Sequence, residues 1–268
     1  MTNKKVVLIT GASSGIGRAT AELLSNRGYR VFGTSRNLEY VAPIPGVEML
    51  PLNVRDIASV EACVARVLDA SDRIDVLINN AGYGLVGAVE ETSPDEAQFV
   101  FDTNLFGVLR MVRAILPVMR RQGSGRIINT SSILGFLPGP FFGLYASSKH
   151  ALEALSESLD HEVRGFGIRV VLIEPDITNT QFGANWSQVK QPINDYAHDV
   201  KRAASTIARK IKKAAGPETV AAEILRAIEG PYQMRRPVGF HARLLSRLRR
   251  FMPAGPVDRS IRQSFGLI

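Results

Sequence analysis

Tyr145 and Lys149 lie four residues apart in the segment YASSK, where a pattern typical of a helix begins. On a helix, residues at this spacing share one face, so a phenol and an ammonium group would be neighbours. A phenol with its ordinary pKa of about 10 is a poor base at neutral pH, whereas a nearby cation favours the phenolate. The pair predicts either a tyrosine tuned for proton transfer or a chance pair on a solvated helix.

The segment TGASSGIG places glycines at positions 11, 15 and 17, directly after the first apolar segment. Small residues there would let the backbone approach a pyrophosphate at the N-terminus of a helix. The spacing differs from the common G-x-G-x-x-G pattern, and a glycine-rich turn also serves a plain strand-to-helix connection. Its position after the first strand favours a dinucleotide-binding loop.

Arg36 follows the second predicted strand. A dinucleotide site offers Asp or Glu to a ribose 2′-hydroxyl at this point, or Arg to a 2′-phosphate. No acidic residue occurs between Tyr29 and Leu38, and a guanidinium suits phosphate because it donates several hydrogen bonds from one plane. The sequence therefore favours NADP(H), with NAD(H) as the alternative if Arg36 is a solvated loop residue.

The elements that would position these residues alternate between strands and helices. Apolar segments typical of strands are KKVVLIT, YRVFGTS, VEMLPLN, DVLINN, GRIINTSS and IRVVLIEP. Helical patterns separate most of them, and Pro117 predicts a kink or a break in a long helix from Ser93 to Gly123. Strands that are apolar almost throughout are typical of a parallel sheet covered on both faces. We expect a single α/β domain over residues 1–268, a Rossmann-type doubly wound parallel sheet with helices on both faces.

The net charge of +8 is concentrated in two late segments. Residues 190–213 carry +5 and residues 231–268 carry +7, so the rest of the chain is mildly acidic. A nucleic-acid-binding domain would carry its charge on the recognition fold itself, so we expect no nucleic-acid partner. The single cysteine, Cys63, excludes an internal disulfide, and neither a signal peptide nor a membrane span is predicted. These features predict a cytoplasmic protein.

Several spaced motifs resemble the classical short-chain dehydrogenase/reductase family. They are the glycine segment at 10–17, NNAG at 79–82, Asn104 in FDTNLFG, and Ser132, placed 13 residues before Tyr145 of the Tyr-x-x-x-Lys motif. The matching motifs span Lys5 to Thr180. The length and apolarity of the C-terminal segment are most similar to members that act on hydroxysteroids and retinol.

The resemblance implies an oxidoreductase with Asn104, Ser132, Tyr145 and Lys149 as catalytic residues. Tyr145 would exchange a proton with the substrate oxygen, and Ser132 would hydrogen-bond that oxygen. Lys149 would bind the nicotinamide ribose and lower the pKa of Tyr145, and Asn104 would hold a water in a proton relay. The implied cofactor contacts are Gly11, Ser13, Ser14, Gly15, Ile16, Gly17, Arg36, Asn53, Val54, Asn80, Ala81, Gly82, Tyr145, Lys149, Pro175, Thr178 and Thr180. The four histidines lack metal-ligand spacing, so no metal is expected.

Two later features bear on the substrate. Asp176 departs from the family's usual Pro-Gly, and it is either a turn residue or a contact to substrate. Residues 181–216 correspond to the family's mobile substrate lid. Within them, helical spacing predicts a helix that closes over the pocket with its basic face outward, through Val200, Ala204, Ile207 and Ile211.

The basic C-terminal extension, residues 231–268, contains the segment HARLLSRLRRFMP. Helical periodicity from His241 to Pro253 places an apolar face opposite arginines, with Leu244, Leu245, Leu248, Phe251 and Met252 on that face. Three interpretations are open, namely packing beside the substrate pocket, a subunit interface, and peripheral contact with an acidic membrane surface. We expect a homodimer or a homotetramer.

Three functions fit these features. The preferred one is NADP(H)-dependent hydride transfer between nicotinamide and a lipophilic secondary alcohol or ketone. A 3-oxoacyl (carrier-protein) reductase would use the basic segments to bind an acidic carrier. A non-catalytic NADP-sensing protein is the third, and the intact set of Ser132, Tyr145 and Lys149 argues against it.

Overall fold

A parallel sheet is the centre of the computed structural model, which describes residues 4–181, 186–248 and 251–268. Its strands are β1 (Val6–Ile9), β2 (Arg30–Ser35), β3 (Val47–Pro51), β4 (Val76–Asn79), β6 (Gly125–Thr130), β7 (Ile168–Pro175) and β9 (Arg235–Val238). They lie in the order β3-β2-β1-β4-β6-β7-β9, and every neighbouring pair is parallel. Two short strands, β5 (Leu85–Val86) and β8 (Ser187–Gln188), pair separately. The chain order reverses at β1, which is the doubly wound arrangement that the sequence predicts.

Helices cover both faces of the sheet. They are α1 (Gly15–Asn26), α2 (Ile57–Ser71), α3 (Pro94–Phe101), α4 (Gly107–Gln122), α5 (Gly143–Val163), α6 (Asn194–Lys213), α7 (Glu218–Glu229), α8 (Phe240–Leu248) and α9 (Ala254–Ser264). Successive residues of β1 face opposite sides, so Leu8 packs with residues of α2, α4 and α5, and Ile9 packs with residues of α1 and α7. Because both faces of the sheet are buried, most strand residues are apolar, and most strands are continuous apolar segments in the sequence.

The helical stretch predicted from Ser93 to Gly123 is confirmed over Pro94–Gln122, but it is not one regular α-helix, and the break expected at Pro117 is wrong. Ser93 caps α3 through a reciprocal pair of hydrogen bonds with Glu96, but a π-helical segment at Asp102–Phe106 separates α3 from α4. α4 then continues past Pro117 to Gln122, so the interruption lies earlier than Pro117. A π turn adds a single residue, and a segment of five residues is too short for apolar periodicity to reveal it.

The helix predicted from His241 to Pro253 is confirmed as far as Leu248, but Phe251 to Pro253 are not helical. α8 ends at Leu248, residues 249–250 lie outside the described part of the chain, and Pro253 precedes a further helix, α9. The sequence did not indicate β9 either, because RRPV contains two arginines and a proline. Among the helices that the structure describes, none is both long enough and apolar enough to cross a membrane.

Candidate active site

A cavity of about 900 Å³ lies at the carboxyl ends of the parallel strands. Ligands of open α/β sheets bind at this edge, outside the strand ends where the chain order reverses. Every predicted site residue lines the cavity except Gly17 and Asn104. The structure therefore brings residues from β1, β2, β4, β6, β7 and α5 to one place, as parallel strands require.

The glycine segment forms a tight approach between backbones. Gly11 has a φ of +69°, and a Cβ at this position would lie 2.9 Å from the Cα of Ala81. A Cβ on Gly17 would lie 2.2 Å from the carbonyl oxygen of Gly11. Both positions therefore require glycine, and Gly17 acts by allowing the loop to fold although it does not itself line the cavity.

Asn80 holds this loop against the end of β4. Its Nδ2 donates to the carbonyl oxygens of Thr10 and Gly11 at 3.1 and 2.9 Å. The Thr10 hydroxyl accepts from the backbone amides of Asn80 and Ala81, both at 3.0 Å. The NNAG segment thus fixes the glycine loop from the neighbouring strand.

The first turn of α1 fits an anionic group. Ser14 is its N-cap and makes no side-chain capping hydrogen bond, and the first turn contains no acidic residue. The partial positive charge of a helix N-terminus is therefore uncompensated by any side chain of the first turn. Arg36 is exposed at the same cavity and bonds no residue that the structure describes. These groups could hold the pyrophosphate and a 2′-phosphate of a dinucleotide.

Tyr145, Ser132 and Lys149 meet at the base of the cavity. Tyr145 lies in the first turn of α5, its hydroxyl hydrogen-bonds with the side chain of Ser132, and Lys149 follows one turn later. The Lys149 Nζ lies 5.7 Å from the centroid of the Tyr145 ring and donates to the Thr130 carbonyl oxygen at 2.8 Å. A substrate oxygen placed at the Tyr145 hydroxyl would also be within reach of Ser132.

Burial is the largest effect on the pKa values of Tyr145 and Lys149. It raises the pKa of Tyr145 to about 12, and the hydrogen bond from Ser132 acts in the opposite direction. Burial also lowers the pKa of Lys149 to about 8, opposed by the nearby charge of Glu153. Burial is therefore the largest effect on the pKa of Tyr145 in the protein alone, where the Lys149 ammonium is directed at the Thr130 carbonyl oxygen. A lower pKa of Tyr145 with Lys149 and oxidised nicotinamide beside it stays a prediction.

Asn104 lies in the π-helical segment and is almost fully buried. Its Oδ1 accepts from the Tyr83 amide at 2.8 Å, and its Nδ2 donates to the Tyr83 carbonyl oxygen at 2.9 Å and the Ser148 hydroxyl at 3.0 Å. The Ser148 hydroxyl in turn donates to the Tyr145 carbonyl oxygen at 2.7 Å. Asn104 therefore connects the π-helical segment to the turn that carries Tyr145.

A buried charged network behind Lys149 was not predicted. Glu153 accepts a hydrogen bond from the Ser131 hydroxyl at 2.7 Å and another from Arg235 at 2.7 Å. Arg235 also binds Glu174, a carboxylate with no solvent exposure in β7. A sequence signal exists for Glu174, which is the one acid in the apolar strand segment IRVVLIEP, whereas Glu153 lies among other polar residues and has no such signal.

An apolar wall closes the side of the cavity beyond Tyr145. Trp186 stacks edge-on against Phe142, with ring centroids 4.3 Å apart. The wall includes side chains from α6, α8, α9 and their flanks: Ile207, Ile211, Leu245, Met252, Val257, Ile261 and Phe265. α6 packs its predicted apolar face inward. Residues 182–185 of the predicted lid lie outside the described residues, and the closing motion stays a prediction.

Asp176 serves as a turn residue at this wall. Its Oδ1 accepts from the Ile177 amide at 2.8 Å, and its Oδ2 accepts from the His241 amide at 3.2 Å and lies 2.9 Å from the ring Nδ1. The carboxylate also lines the cavity. It therefore anchors the start of α8 beside the substrate wall.

Known proteins are similar to this chain in sequence and in fold. The sequence profile described as short chain dehydrogenase matches residues 5–191, which is more than half of the chain. The chain belongs to the short-chain dehydrogenase family. Its members include dehydrogenases and reductases, so this short-chain dehydrogenase is an oxidoreductase that acts on CH–OH or C=O groups.

Two relatives have named activities. The short-chain dehydrogenase is 40% identical over 226 residues to the 3-ketodihydrosphingosine reductase of Bacteroides thetaiotaomicron, which covers 84% of this chain and 83% of that protein. It is 40% identical over 193 residues to 17-beta-hydroxysteroid dehydrogenase type 1 of Homo sapiens, which covers 67% of this chain and 58% of that protein. The names of both relatives describe enzymes that act on carbonyl or alcohol groups.

Solved structures show the same fold. A short-chain dehydrogenase from Streptomyces avermitilis is 34% identical with a TM-score of 0.81, covering 97% of this chain and 99% of that one. One from Burkholderia phymatum in complex with NAD is 28% identical, with a TM-score of 0.79 and 92% of each chain covered. A metagenomic short-chain oxidoreductase in complex with NADP is 27% identical, with a TM-score of 0.69, covering 87% of this chain and 97% of that one. Structural neighbours of this short-chain dehydrogenase therefore hold either dinucleotide.

Proposed function

We propose that this short-chain dehydrogenase is an NADP(H)-dependent reductase of a lipophilic ketone, with the secondary alcohol as product. The observation that carries the proposal is the apolar wall directly beyond the Tyr145 hydroxyl. Trp186, Leu245 and Phe265 give that wall a surface from which water is easily displaced. The names of the two relatives, a ketodihydrosphingosine reductase and a hydroxysteroid dehydrogenase, support a substrate of this kind.

In the proposed reaction, bound nicotinamide supplies the hydride to the carbonyl carbon. Tyr145 donates its proton to the carbonyl oxygen, and Ser132 hydrogen-bonds the same oxygen. A pKa raised to about 12 keeps Tyr145 protonated at neutral pH, which suits the reducing direction. Lys149, fixed by the Thr130 carbonyl oxygen, provides the neighbouring positive charge while Tyr145 is deprotonated.

NADP(H) is the proposed cofactor because Arg36 is an exposed guanidinium at the end of β2, on the cavity. Its side chain bonds no described residue, so it is available to a 2′-phosphate. The glycine loop and the first turn of α1 would hold the pyrophosphate, and both dinucleotides have this group.

A cofactor-consumption screen tests the proposal. The purified protein and NADPH are supplied with long-chain 3-ketones, steroid ketones, short aliphatic ketones and 3-oxoacyl thioesters with and without a carrier protein. We expect kcat/KM to rise with the apolar length of the ketone. Turnover confined to carrier-bound thioesters would instead favour the carrier-protein reductase, and NADPH binding without any turnover would favour a sensing protein.

We also propose a cytoplasmic homodimer or homotetramer. Cys63 is a free, buried thiol, which suits a reducing compartment. Phe106 and Leu109 lie three residues apart and are 44% and 38% exposed, which supports self-association through this surface. Light scattering should give two or four times the chain mass of 29.3 kDa, and a monomer would contradict the proposal.

A further inference from the structure

α8 presents three different surfaces around its axis. Each residue is turned by about 100° from the previous one, so residues four apart lie nearly in line. His241 and Leu245 line the substrate pocket, and Phe240 also reaches it at the start of the helix. Phe240, Leu244 and Leu248 form a second line, and they are 74%, 42% and 42% exposed. The exposed apolar line therefore runs along the same helix as the pocket wall.

Phe251 extends this exposed surface beyond the end of α8. It is 84% exposed, and together with the line on α8 it forms what we call the mouth patch: Phe240, Leu244, Leu248 and Phe251. Most other large exposed apolar residues of the described chain are scattered, and single ones need no partner. Four within twelve residues, at the rim of a lipophilic pocket, indicate a surface that contacts another apolar phase.

Positive charge borders the mouth patch on α8, where Arg243 and Arg247 are exposed on the side away from the pocket line. Arg259 and Arg262 are exposed on the following helix, α9. Within the described residues 240–248 and 251–268, the acidic residue is Asp258. An apolar line bordered by arginines has the composition of a helix that lies at an anionic bilayer surface.

We propose that the mouth patch docks this protein on bilayers that contain anionic lipids, so that a lipophilic substrate passes between the bilayer and the pocket. The passage of substrate rests on the proposed function, whereas the docking does not. A second copy of the chain fits less well, because a symmetric contact would bring the arginines of both copies together.

Flotation with lipid vesicles tests the docking. The full-length protein is mixed with phosphatidylcholine vesicles with or without phosphatidylglycerol, and the bound fraction is measured. The variant Leu244→Ser/Leu248→Ser/Phe251→Ser removes apolar contacts from residues that do not line the described pocket. We expect its partitioning to fall at least tenfold. The control Tyr40→Ser/Phe166→Ser removes side chains that are 86% and 47% exposed elsewhere, and it should bind like the wild type.

The arginines give a second, independent readout. Each basic residue near an anionic surface contributes roughly fivefold to partitioning, so Arg243→Gln/Arg247→Gln should bind anionic vesicles about 25-fold more weakly. Binding to pure phosphatidylcholine should not change. Added salt should weaken wild-type binding to anionic vesicles and reduce the difference between the proteins.

Three results would overturn the proposal. The first is a wild-type protein that does not float with anionic vesicles, and the second is a triple-serine variant that floats equally well. A lower mass of that variant by light scattering, without vesicles, would assign the patch to self-association and would also overturn it. Near-ultraviolet circular dichroism verifies folding. Turnover of a short, water-soluble ketone is measured separately, so failure of the proposed function is distinguishable from failure of docking.

Discussion

At the scale of single residues, burial and hydrogen bonding have opposite effects on the pKa of Tyr145. Burial disfavours the phenolate, and the hydrogen bond with Ser132 favours it. Because burial is the larger effect, the hydroxyl keeps its proton at neutral pH. In the proposed reaction Tyr145 would therefore act as the proton donor.

Replacing Tyr145 with Phe should lower kcat by roughly 10²–10⁴-fold, because the proton donor is lost while the ring remains. NADPH affinity, measured by fluorescence titration, should stay within threefold. Tyr196→Phe is the matched control, since the exposed Tyr196 hydroxyl binds Glu90 at 2.7 Å away from the cavity. A Tyr145→Phe protein with activity within tenfold of wild type would contradict the assigned role.

Arg36→Asp should weaken NADPH binding by roughly 10–150-fold and raise the relative use of NADH. The reason is that charge-assisted hydrogen bonds to the 2′-phosphate contribute about 1.5–3 kcal/mol to NADPH binding. NADH has no 2′-phosphate, so its binding does not depend on these bonds. Arg27→Asp makes the same charge change at the end of α1, outside the cavity lining, and should have little effect. Equal NADPH affinity in the Arg36 variant, or a wild type that prefers NADH, would contradict the assignment.

Glu174→Gln should stabilise the protein increasingly as pH rises. Burial raises the pKa of Glu174 to about 7, above its value when unfolded, so wild-type stability falls as pH rises from about 4.5 to 7. Glutamine does not titrate. The gain in unfolding free energy should grow from about 1 kcal/mol at pH 5 to about 3 kcal/mol at pH 8. Urea denaturation measures it, with the more exposed Arg235 partner Glu157→Gln as control. A loss at pH 8 would show that the ion pair with Arg235 outweighs the burial.

At the scale of elements, the π-helical segment positions the side chain of Asn104. It interrupts two regular helices and brings one side chain to three hydrogen-bonding groups on two other elements. Sequence identified Asn104 only through family resemblance. Its neighbours, FDTNLF, have nothing in their periodicity that distinguishes a π turn from an α turn.

Asn104→Ala should destabilise the protein by about 3 kcal/mol or more, because it leaves the Tyr83 backbone and the Ser148 hydroxyl without buried partners. The displaced Tyr145 turn should also lower kcat. Thermal and urea unfolding together with NADPH turnover measure both effects. The exposed Asn37, which accepts one hydrogen bond from the Glu39 amide, provides the control Asn37→Ala. Unchanged stability in the Asn104 variant would show that water replaces the lost contacts.

The strands were predictable because a buried parallel strand is a continuous apolar segment, as in IRVVLIEP. The strand β9 was not predictable from the sequence, because its arginines are neutralised by Glu153, Glu174 and Glu223, which come from other parts of the chain. The cavity lining was predictable where it rests on backbone shape, as at Gly11. The raised pKa of Tyr145 was not predictable from the sequence, since the burial that raises it depends on the assembled fold.

At the scale of the whole molecule, cofactor cleft and substrate wall come from different parts of the chain. The cleft is built by residues up to Thr180, and the far wall by α6, α8 and α9. Phe265 holds the end of the chain to the body, with its ring 5.6 Å from that of Phe142 and with Lys210 donating to the Ser264 carbonyl oxygen at 2.6 Å. Phe265 thus joins α9 to the apolar cluster that contains Phe142 and residues of α6.

Phe265→Ala should loosen this wall without disturbing the cleft. A buried aromatic ring contributes about 3–5 kcal/mol, enough to release a peripheral helix. We expect faster amide hydrogen exchange across α9 and a KM for lipophilic ketones raised at least tenfold, with NADPH affinity unchanged. Phe251→Ala, at an 84% exposed position, should alter neither exchange nor stability. Equal exchange in the Phe265 variant would show that other contacts suffice.

The position of the substrate wall late in the sequence has a consequence for synthesis on the ribosome. Domains generally fold as units, so a single domain needs its last elements before it is complete. β1 to β7 emerge before β9, α8 and α9, which lie after residue 230. Until those residues emerge, the sheet lacks the strand that pairs with β7 and the cavity lacks part of its apolar wall. Completion of the fold therefore waits for the last residues to be synthesised.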